Sequence, residues 1–236
     1  MKIAVLSDIH GFSIAFDRVL ADIGSEPGID HLVIAGDLCE GGPDPSGVLD
    51  RLATLDAIVL QGNTDRDIAN RVRDSNGARY TIDQIGEEGL QYLRELPFSR
   101  RFSPPGGIGP ADDLLVVHAN PFDQDRHIPP DAGPHELQEL IGDTQASVIA
   151  FGHLHIAYIR NLQKVTLIDV SAVGNPKDGD LRSKWGLVEW DEETREWTTT
   201  LRYVDYPLAE TEAQILGSAM PNPTKAVNKL RKASYT

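Results

Sequence analysis

Short apolar runs alternate with helical patterns along the first half of the chain. These runs are rich in Val, Ile and Leu and are bounded by Gly, Asp, Asn or Pro, which is typical of β-strands. The predicted strands cover residues 2–7, 31–36, 57–61, 114–118, 147–152, 157–162, 165–171, 185–190 and 196–203. Several early runs show almost no alternation of apolar and polar residues, which indicates strands covered on both faces.

Helical periodicity fills the spaces between the early strands. Phe12, Phe16, Val19 and Ile23 recur at three- and four-residue steps and predict a buried helix face that ends before Gly24. Further helices are predicted at residues 46–54, 66–73, 84–95, 135–142, 209–219 and after Pro223. Strands that alternate with helices, followed by strands in succession, predict an α/β fold with two packed sheets and helices outside. We expect a single domain over residues 1–236, with residues 205–236 as a C-terminal helical extension.

Length and composition are those of an ordinary globular protein, with 236 residues, 40% hydrophobic and 25% charged. Cys39 is the single cysteine, so an internal disulfide is excluded and a reducing compartment is favoured. No apolar run is long enough to span a bilayer, and the apolar N-terminal run is interrupted at Asp8, unlike a secretion signal. We therefore expect a cytoplasmic protein without a membrane partner.

The net charge of −14 argues against nucleic acid as a partner, because binding a phosphate backbone requires clustered Lys and Arg. A nuclease activity is disfavoured for the same reason. Small phosphorylated ligands remain compatible, since bound cations can hold them locally. The basic stretch from Lys225 to Lys232 is interpreted as a solvated helix face.

Polar signatures follow several of the predicted strands directly. They are Asp8-Ile9-His10, Gly36-Asp37, Gly62-Asn63-Thr64-Asp65, His118 and Gly152-His153-Leu154-His155. Side chains at the carboxyl ends of strands in an α/β sheet converge on one crevice. Oxygen and imidazole donors without thiolate suit Mn²⁺, Fe²⁺, Co²⁺, Ni²⁺ or Zn²⁺ better than Ca²⁺ or Mg²⁺. The sequence therefore predicts a site for two divalent cations.

The local spacing suggests how these donors are presented. Asp8 and His10 are two residues apart, as are His153 and His155, so on an extended backbone each pair points to one side. The glycines before Asp37, Asn63 and His153 are expected to let the backbone turn sharply as it leaves each strand.

A charge count favours a catalytic site over a structural one. Two divalent ions, the carboxylates of Asp8 and Asp37 and one bridging hydroxide leave a net charge of about +1, which attracts a phosphate. In two-metal hydrolysis the ions acidify a shared water, which attacks the phosphorus in line.

The order of these motifs, D-x-H, G-D, G-N-x-D, H and G-H-x-H, resembles the calcineurin-like metallophosphoesterase superfamily, over residues 3 to about 183. GDLCEGGPDP and SAVGNPKDGDLR look like loops of its small bacterial phosphodiesterase and phosphoprotein-phosphatase-like branch. The resemblance implies a four-layer α/β/β/α sandwich of two mixed sheets. It implies one cation held by Asp8, His10, Asp37 and His155, and another held by Asp37, Asn63, His118 and His153. Asp37 would bridge the two cations, and Asn63 could also turn its amide toward a phosphate oxygen.

Thr64 departs from the family pattern, in which a histidine commonly stands at this position and protonates the leaving oxygen. Threonine is not a general acid at neutral pH. Asp65, which would orient that histidine, remains, either in a catalytic role with Asn63 or as an anchor of the loop through backbone amides. We therefore expect hydrolysis of diesters or anhydrides with stabilised leaving groups, on small nucleotide-like or dinucleoside polyphosphate substrates.

Substrate contacts are assigned to Arg126 and His127, in the long loop after His118, and to Lys177 and Arg182 in a later loop. Two other functions stay open. One is a serine/threonine phosphoprotein phosphatase. The other is a protein-binding scaffold whose catalysis has lapsed, since loss of the acidic histidine marks such members of the superfamily.

Overall fold

The computed structural model describes residues 1–235 and contains two five-stranded mixed sheets. The first sheet has the strand order β10-β9-β1-β2-β3, with β1 parallel to β2 and antiparallel to β9. Its strands are β1 (Lys2–Leu6), β2 (His31–Ile34), β3 (Ile58–Val59), β9 (Ser183–Asp191) and β10 (Glu196–Val204).

The second sheet has the order β4-β5-β6-β8-β7, with a parallel centre and one antiparallel strand at each edge. Its strands are β4 (Ser99–Phe102), β5 (Leu114–Val117), β6 (Val148–Phe151), β7 (Tyr158–Asn161) and β8 (Thr166–Asp169).

The side chains of β1 show how the layers are built. Ile3 and Val5 pack into the apolar layer between the two sheets, whereas Ala4 and Leu6 pack against helices on the outer face. Alternation along the strand therefore places apolar residues on both faces, which is why the sequence reads as a continuous apolar run. The two sheets with helices on both outer faces form the expected four-layer α/β/β/α sandwich.

The helices are distributed unequally over the two outer faces. Within residues 1–235, six helices contribute to the core on the first sheet, and one helix, Pro134–Leu140, covers the second sheet together with loop residues. The helices are α1 (Ser13–Ser25), α2 (Pro45–Leu52), α3 (Asn63–Ala69), α4 (Asn76–Glu95), α5 (Pro134–Leu140), α6 (Leu208–Gly217) and α7 (Pro223–Lys232). None of the helices within residues 1–235 combines the length and the apolar content that a membrane crossing requires.

Three elements of the structure differ from the prediction. Strand β4 was not predicted, because three of its four residues are exposed and its sequence SRRF lacks an apolar pattern. Helix α3 begins at Asn63, three residues before the predicted start. The stretch α4 begins at Asn76 and is kinked at Gly86, whose φ of 62° is not helical, so the predicted helix at residues 84–95 corresponds to its second part and the first part was not predicted. Because α3 begins at Asn63, the Asn63 side chain lies in the first turn of this helix, at the edge of the site.

Candidate active site

The loops that leave the strands bring seven predicted donors to one place. Two groups have donor atoms that all lie within 4.8 Å of one another. One group is Asp8, His10 and His155, and the other is Asp37, His118 and His153. Asn63 joins the second group, with Oδ1 at 3.1 Å from His118 Nε2.

The backbone of these loops is left-handed at five donors. The φ angles are 56° at Asp8, 51° at His10, 57° at Asp37, 69° at His153 and 59° at His155. Positive φ is uncommon for residues other than glycine and occurs at sites where the surrounding structure enforces it. The expectation that Asp8–His10 and His153–His155 lie on extended backbone is therefore wrong. Each pair converges because the chain turns at both of its members.

The glycines before the donors act in two ways. Gly36 has φ of 97°, which provides the sharp turn expected before Asp37. At Gly62 the requirement is space, because a Cβ there would lie 2.1 Å from Asp37 Oδ1. Gly152 is similar, since a Cβ would lie 2.3 Å from Asp8 Oδ2. The last two glycines therefore let one loop approach the carboxylate of another.

In the first group, His10 and His155 face each other through Nε2, 3.1 Å apart. His10 Nδ1 lies 2.6 Å from the Glu40 carbonyl oxygen, and His155 Nδ1 lies 2.8 Å from the Asn175 carbonyl oxygen. A carbonyl only accepts, so each Nδ1 carries the hydrogen, and in the neutral rings both Nε2 atoms present lone pairs.

The second group repeats this arrangement. His118 Nδ1 donates to the Ala35 carbonyl at 2.8 Å, and His153 Nε2 donates to the Asp125 carbonyl at 2.9 Å. The remaining nitrogens, His118 Nε2 and His153 Nδ1, face each other at 3.2 Å. Backbone carbonyls commonly fix metal-binding histidines in this way.

The carboxylate of Asp8 is buried beside the first group. Its Oδ2 accepts a hydrogen bond from the His153 backbone at 2.8 Å, whereas Oδ1 is buried without a hydrogen-bond partner in residues 1–235. His155 Nε2 lies 3.1 Å from that Oδ1. Burial raises the pKa of Asp8, but the charge on His155 and the close approach of the His10 and His155 rings to Oδ1 hold it well below the usual range. Asp8 therefore offers an ionised oxygen with a free lone pair.

Asp37 lies between the two groups. Its Oδ2 is 3.6 Å from His10 Nε2 in one group, and its Oδ1 is 3.5 Å from His118 Nε2 in the other. Each oxygen thus faces a different group, which is the position that a bridging carboxylate requires.

These contacts suit divalent cations well. In each pair of neutral rings, two lone-pair nitrogens about 3 Å apart repel each other unless a cation or a proton lies between them. At the first pair, the ionised Asp8 oxygen also requires a positive partner. In the metal-free protein, burial alone would lower the pKa of His10, but the hydrogen bond to Asp8 and the charges of Asp37 and Asp8 raise it to about 9. Asp8, His10, Asp37, Asn63, His118, His153 and His155 could together hold two ions through oxygen and imidazole donors.

Asp65 is fully enclosed behind the donors. Its carboxylate accepts hydrogen bonds from the backbone N–H groups of Asp37 at 2.8 Å, Leu38 at 2.9 Å and Gly62 at 2.9 Å. Burial, followed by the charge of Asp37, raises the pKa of Asp65 to about 6. With both oxygens occupied by backbone donors, Asp65 positions the loops that carry Asp37 and Asn63 and does not face the reacting groups.

Thr64 lines the cavity at the position where the family pattern commonly has a histidine acid. Its backbone N–H donates to Asp37 Oδ1 at 2.9 Å, and its hydroxyl is buried without a hydrogen-bond partner in the described residues. The structure thus places no proton donor of histidine type at residue 64.

A cavity of about 770 Å³ opens over the donors. His127 lines it, as predicted, with its ring centroid 6.2 Å from that of His153. Arg126 and Arg182 are absent from its lining, because their guanidinium groups bind Glu139 at 3.0 Å and Asp180 at 2.6 Å. The structure therefore does not bring these two arginines to the site.

Sequence reasoning missed five polar groups in the lining, which are Glu40, Arg73, Asn175, Lys229 and Tyr235. Lys177, predicted as a neighbour of Arg182, also lines the cavity. Burial, and then the charge of Lys229, lower the pKa of Lys177 to about 8. Lys229 and Tyr235 follow all the motifs in the sequence, and no local pattern distinguishes Lys229 from the other basic residues of α7.

Comparison with known proteins agrees with this arrangement. The model of the calcineurin-like phosphoesterase family matches residues 1–157. A symmetrical bis(5'-nucleosyl)-tetraphosphatase of Acidovorax sp. (strain JS42) is 37% identical over 133 residues, which are 52% of this chain and 46% of that protein. The chain thus spans about half the length of this curated relative.

Two solved structures share the fold over the whole chain. A metallophosphoesterase from Sphaerobacter thermophilus has a TM-score of 0.77 with 23% identity, and 99% of each chain is covered. The hypothetical protein PH1004 from Pyrococcus horikoshii OT3 has a TM-score of 0.83 with 18% identity, covering 100% of this chain and 99% of the other. With the family model covering well over half of its residues, the chain belongs to the calcineurin-like phosphoesterases.

Proposed function

We propose that this protein is a dinuclear-metal-dependent phosphohydrolase that cleaves phosphodiester or phosphoanhydride bonds in small nucleotide-like substrates. Dinucleoside polyphosphates are the substrate class that we favour. Asp8, His10, Asp37 and His155 would hold one divalent cation, and Asp37, Asn63, His118 and His153 the other.

One observation carries the proposal. Four histidines each use one ring nitrogen on a backbone carbonyl and direct the other toward a second histidine nitrogen about 3 Å away. Asp37 contributes one oxygen toward each pair. A structural histidine cluster would be expected to pair its nitrogens with acceptors, whereas the neutral rings of this cluster would point lone pair at lone pair, as donors around a cation do.

Two divalent cations held there would acidify a water and stabilise charge on phosphoryl oxygens. The chain itself supplies the positioning. Asp65 fixes the loops of Asp37 and Asn63 through three backbone hydrogen bonds, and the Asn63 amide stands at the cavity wall, where it can donate to a phosphate oxygen. Positioning of this kind accounts for a large part of phosphoryl-transfer catalysis.

Two structural features and one relative support the substrate class. The cavity of about 770 Å³ is in the range that accommodates a ligand of nucleotide size. Thr64 in place of a proton donor favours leaving groups that depart as stable anions, such as a nucleotide phosphate, over alkoxides. The relative that is 37% identical over half of this chain is named as a symmetrical bis(5'-nucleosyl)-tetraphosphatase.

The test is hydrolysis of diadenosine tetraphosphate, bis(4-nitrophenyl) phosphate and a phosphoserine peptide by Mn²⁺-loaded protein. We expect turnover of the first two and a loss of more than about 100-fold in Asp37→Asn, because that change removes a donor shared by both cations. Asp83→Asn, an exposed carboxylate on α4, is the matched control.

Each alternative predicts a different result. Preferred hydrolysis of the phosphopeptide would favour the phosphoprotein phosphatase. Protein that binds two Mn²⁺ ions but hydrolyses none of the three substrates would favour the protein-binding scaffold.

A further inference from the structure

One wall of the cavity comes from chain segments beyond the part that the family model matches. The model ends at residue 157, whereas Lys177, Lys229 and Tyr235 all line the cavity. Lys177 lies in the loop between β8 and β9, Lys229 lies in α7, and Tyr235 follows that helix. This wall therefore lies outside the region that the family model matches.

Lys177 is a buried cation without a counter-charge. Only 7% of its surface is exposed, and its Nζ donates to the amide oxygen of Asn175, with no carboxylate in ion-pair distance among residues 1–235. Lys184, which is fully buried in the next strand, β9, shows how a buried lysine is usually compensated. Its Nζ donates to Asp178 at 2.8 Å and to the Asp180 carbonyl at 2.8 Å. A buried charge without such compensation is unfavourable unless a ligand supplies the opposite charge.

Lys229 faces the same cavity from α7. Lys229 is exposed, like Lys232, but it faces the cavity, and it forms neither an ion pair nor a hydrogen bond within the described part of the chain, whereas Arg231 on the same helix binds Glu212 at 2.6 Å. Lys177 and Lys229 are near enough for their charges to repel. Arg73 differs, because Asp67 at 2.9 Å and Glu40 at 3.2 Å already neutralise it. The two lysines are thus the uncompensated cations of the cavity.

The segment that carries Lys229 is held firmly against the site. Val227 and Leu230 are buried in the core on the outer face of the first sheet. Beyond the helix, the Ala233 carbonyl accepts a hydrogen bond from Gly179 in the loop of Lys177, and Tyr235 donates its hydroxyl to the Leu154 carbonyl. The two lysines are therefore pre-organised relative to His153 and His155, which flank Leu154.

We infer that Lys177 and Lys229 form an anion subsite that binds phosphoryl groups of the substrate beyond the one that is cleaved. This inference rests on the proposed function and deepens it, because it selects substrates with a polyphosphate chain over simple diesters. The ammonium groups act as point charges that neutralise phosphate oxygens, a common role of lysine in phosphate binding. Both residues lie outside residues 1–157, so the subsite would be formed by segments beyond the region that the family model matches.

Calorimetry at low salt can measure the binding of inorganic tripolyphosphate to the metal-free protein. This measurement tests the subsite without any hydrolysis. We expect Lys229→Ala and Lys177→Met each to weaken binding about tenfold, since each loses one charged hydrogen bond. Lys232→Ala, an exposed lysine of the same helix that does not line the cavity, should keep the wild-type affinity. No binding by the wild type, or equal binding by Lys229→Ala, would overturn the inference.

Thermal unfolding gives a second readout that a purely structural lysine would not show. Without anions, Lys177→Met should melt at a temperature equal to or above that of the wild type, because an uncompensated buried charge is replaced by an apolar chain of similar size. Tripolyphosphate should raise the melting temperature of the wild type and of Lys232→Ala but have little effect on Lys177→Met. A Lys177→Met protein that is less stable without anions would make Lys177 a structural residue and contradict the subsite.

Activity separates this inference from the proposed function. If the Mn²⁺-loaded protein hydrolyses both substrates, the ratio of kcat/KM for diadenosine tetraphosphate to that for bis(4-nitrophenyl) phosphate should fall about tenfold in Lys229→Ala. If it hydrolyses neither but tripolyphosphate binding depends on both lysines, the subsite stands and the proposed reaction fails. An unchanged ratio in an active enzyme would contradict the subsite and leave the reaction in place.

Discussion

The carboxylate of Asp65 holds the backbone of Asp37 in position, with Oδ2 accepting the Asp37 N–H at 2.8 Å. The same carboxylate binds the N–H groups of Leu38 and Gly62, so it ties the loop after β2 to the start of α3. Those are the segments that present Asp37 and Asn63. The geometry of the site therefore depends on a buried side chain that is not itself a donor to the cavity.

Asp65→Asn should weaken Mn²⁺ binding by about 10- to 100-fold, since an amide has one acceptor oxygen for three backbone donors and the Asp37 loop would lose its anchor. Calorimetry and metal analysis after dialysis measure the loss. Asp83→Asn is the control, since it changes an exposed carboxylate on α4. Unchanged metal affinity in Asp65→Asn would show that other contacts position Asp37.

The affinity for metal should depend strongly on pH through His10. Burial alone would lower the pKa of His10, but Asp8 and Asp37 raise it to about 9 in the metal-free protein, so the ring is charged at pH 7. A cation requires the neutral ring, so each binding event displaces this proton. Apparent Mn²⁺ affinity should rise about tenfold per pH unit from pH 7 to about 9 and then level off. Calorimetry across this pH range measures the Mn²⁺ affinity. An affinity that does not change with pH would contradict the raised pKa of His10.

The same shift makes the metal-free protein less stable at alkaline pH. Because the folded pKa of His10 lies above its ordinary value of 6.5, its protonation stabilises the fold fully below pH 6.5. That contribution is lost as the pH rises through about 9. Melting of EDTA-treated protein should therefore show a falling transition temperature between pH 7 and 9, with a weaker decline in His10→Asn. An equal decline in both proteins would assign the effect to another group.

Thr64→His should restore a proton donor at the cavity wall. General acid catalysis raises reaction rates by about 10²–10⁴-fold in favourable cases. We therefore expect the rate of hydrolysis to rise about tenfold or more on an alkyl phosphate ester and to rise little on bis(4-nitrophenyl) phosphate. Thr64→Ala serves as the control, because the Thr64 hydroxyl has no hydrogen-bond partner in the described residues. Equal gains on both substrates would indicate that proton donation is not the limiting contribution.

Lys184→Met should destabilise the protein by about 3 kcal/mol, because it leaves Asp178 without its buried partner. Chemical denaturation measures the free energy of unfolding, with Lys232→Met as an exposed control. This direction is opposite to the one expected for Lys177→Met, although both lysines are buried. A stabilising Lys184→Met would show that the ion pair with Asp178 contributes less than its burial costs.

The sequence predicted the donors correctly as neighbours, because each follows an apolar run and parallel strands end at one edge of a sheet. It did not predict how Asp8 and His10 reach the site, because left-handed backbone at a non-glycine residue is enforced by distant contacts. Asp8, for example, donates its backbone N–H to the Gly36 carbonyl of another loop. The strand β4 was missed because an exposed edge strand carries little apolar signal.

The sequence did not predict that Arg126 and Arg182 form ion pairs away from the cavity. Both lie in loops near the site, and their sequence neighbourhood resembles that of Lys177. In the structure Arg126 forms an ion pair with Glu139, and Arg182 forms one with Asp180. The Lys177 ammonium group, in contrast, donates a hydrogen bond to the neutral amide of Asn175. The difference lies in the partners that folding supplies.

The sequence by itself determined the layered architecture and the set of donors, because apolar periodicity and the residues at strand ends are local properties of the chain. The tertiary structure alone decided which charges are compensated and which face the cavity. It brought α7 against the loop of Lys177 and turned a helix that looks uniformly basic into one with a single lysine in the site. The physical reason is that the energy of a charge depends on the distance to every other charge, and only the folded chain fixes those distances.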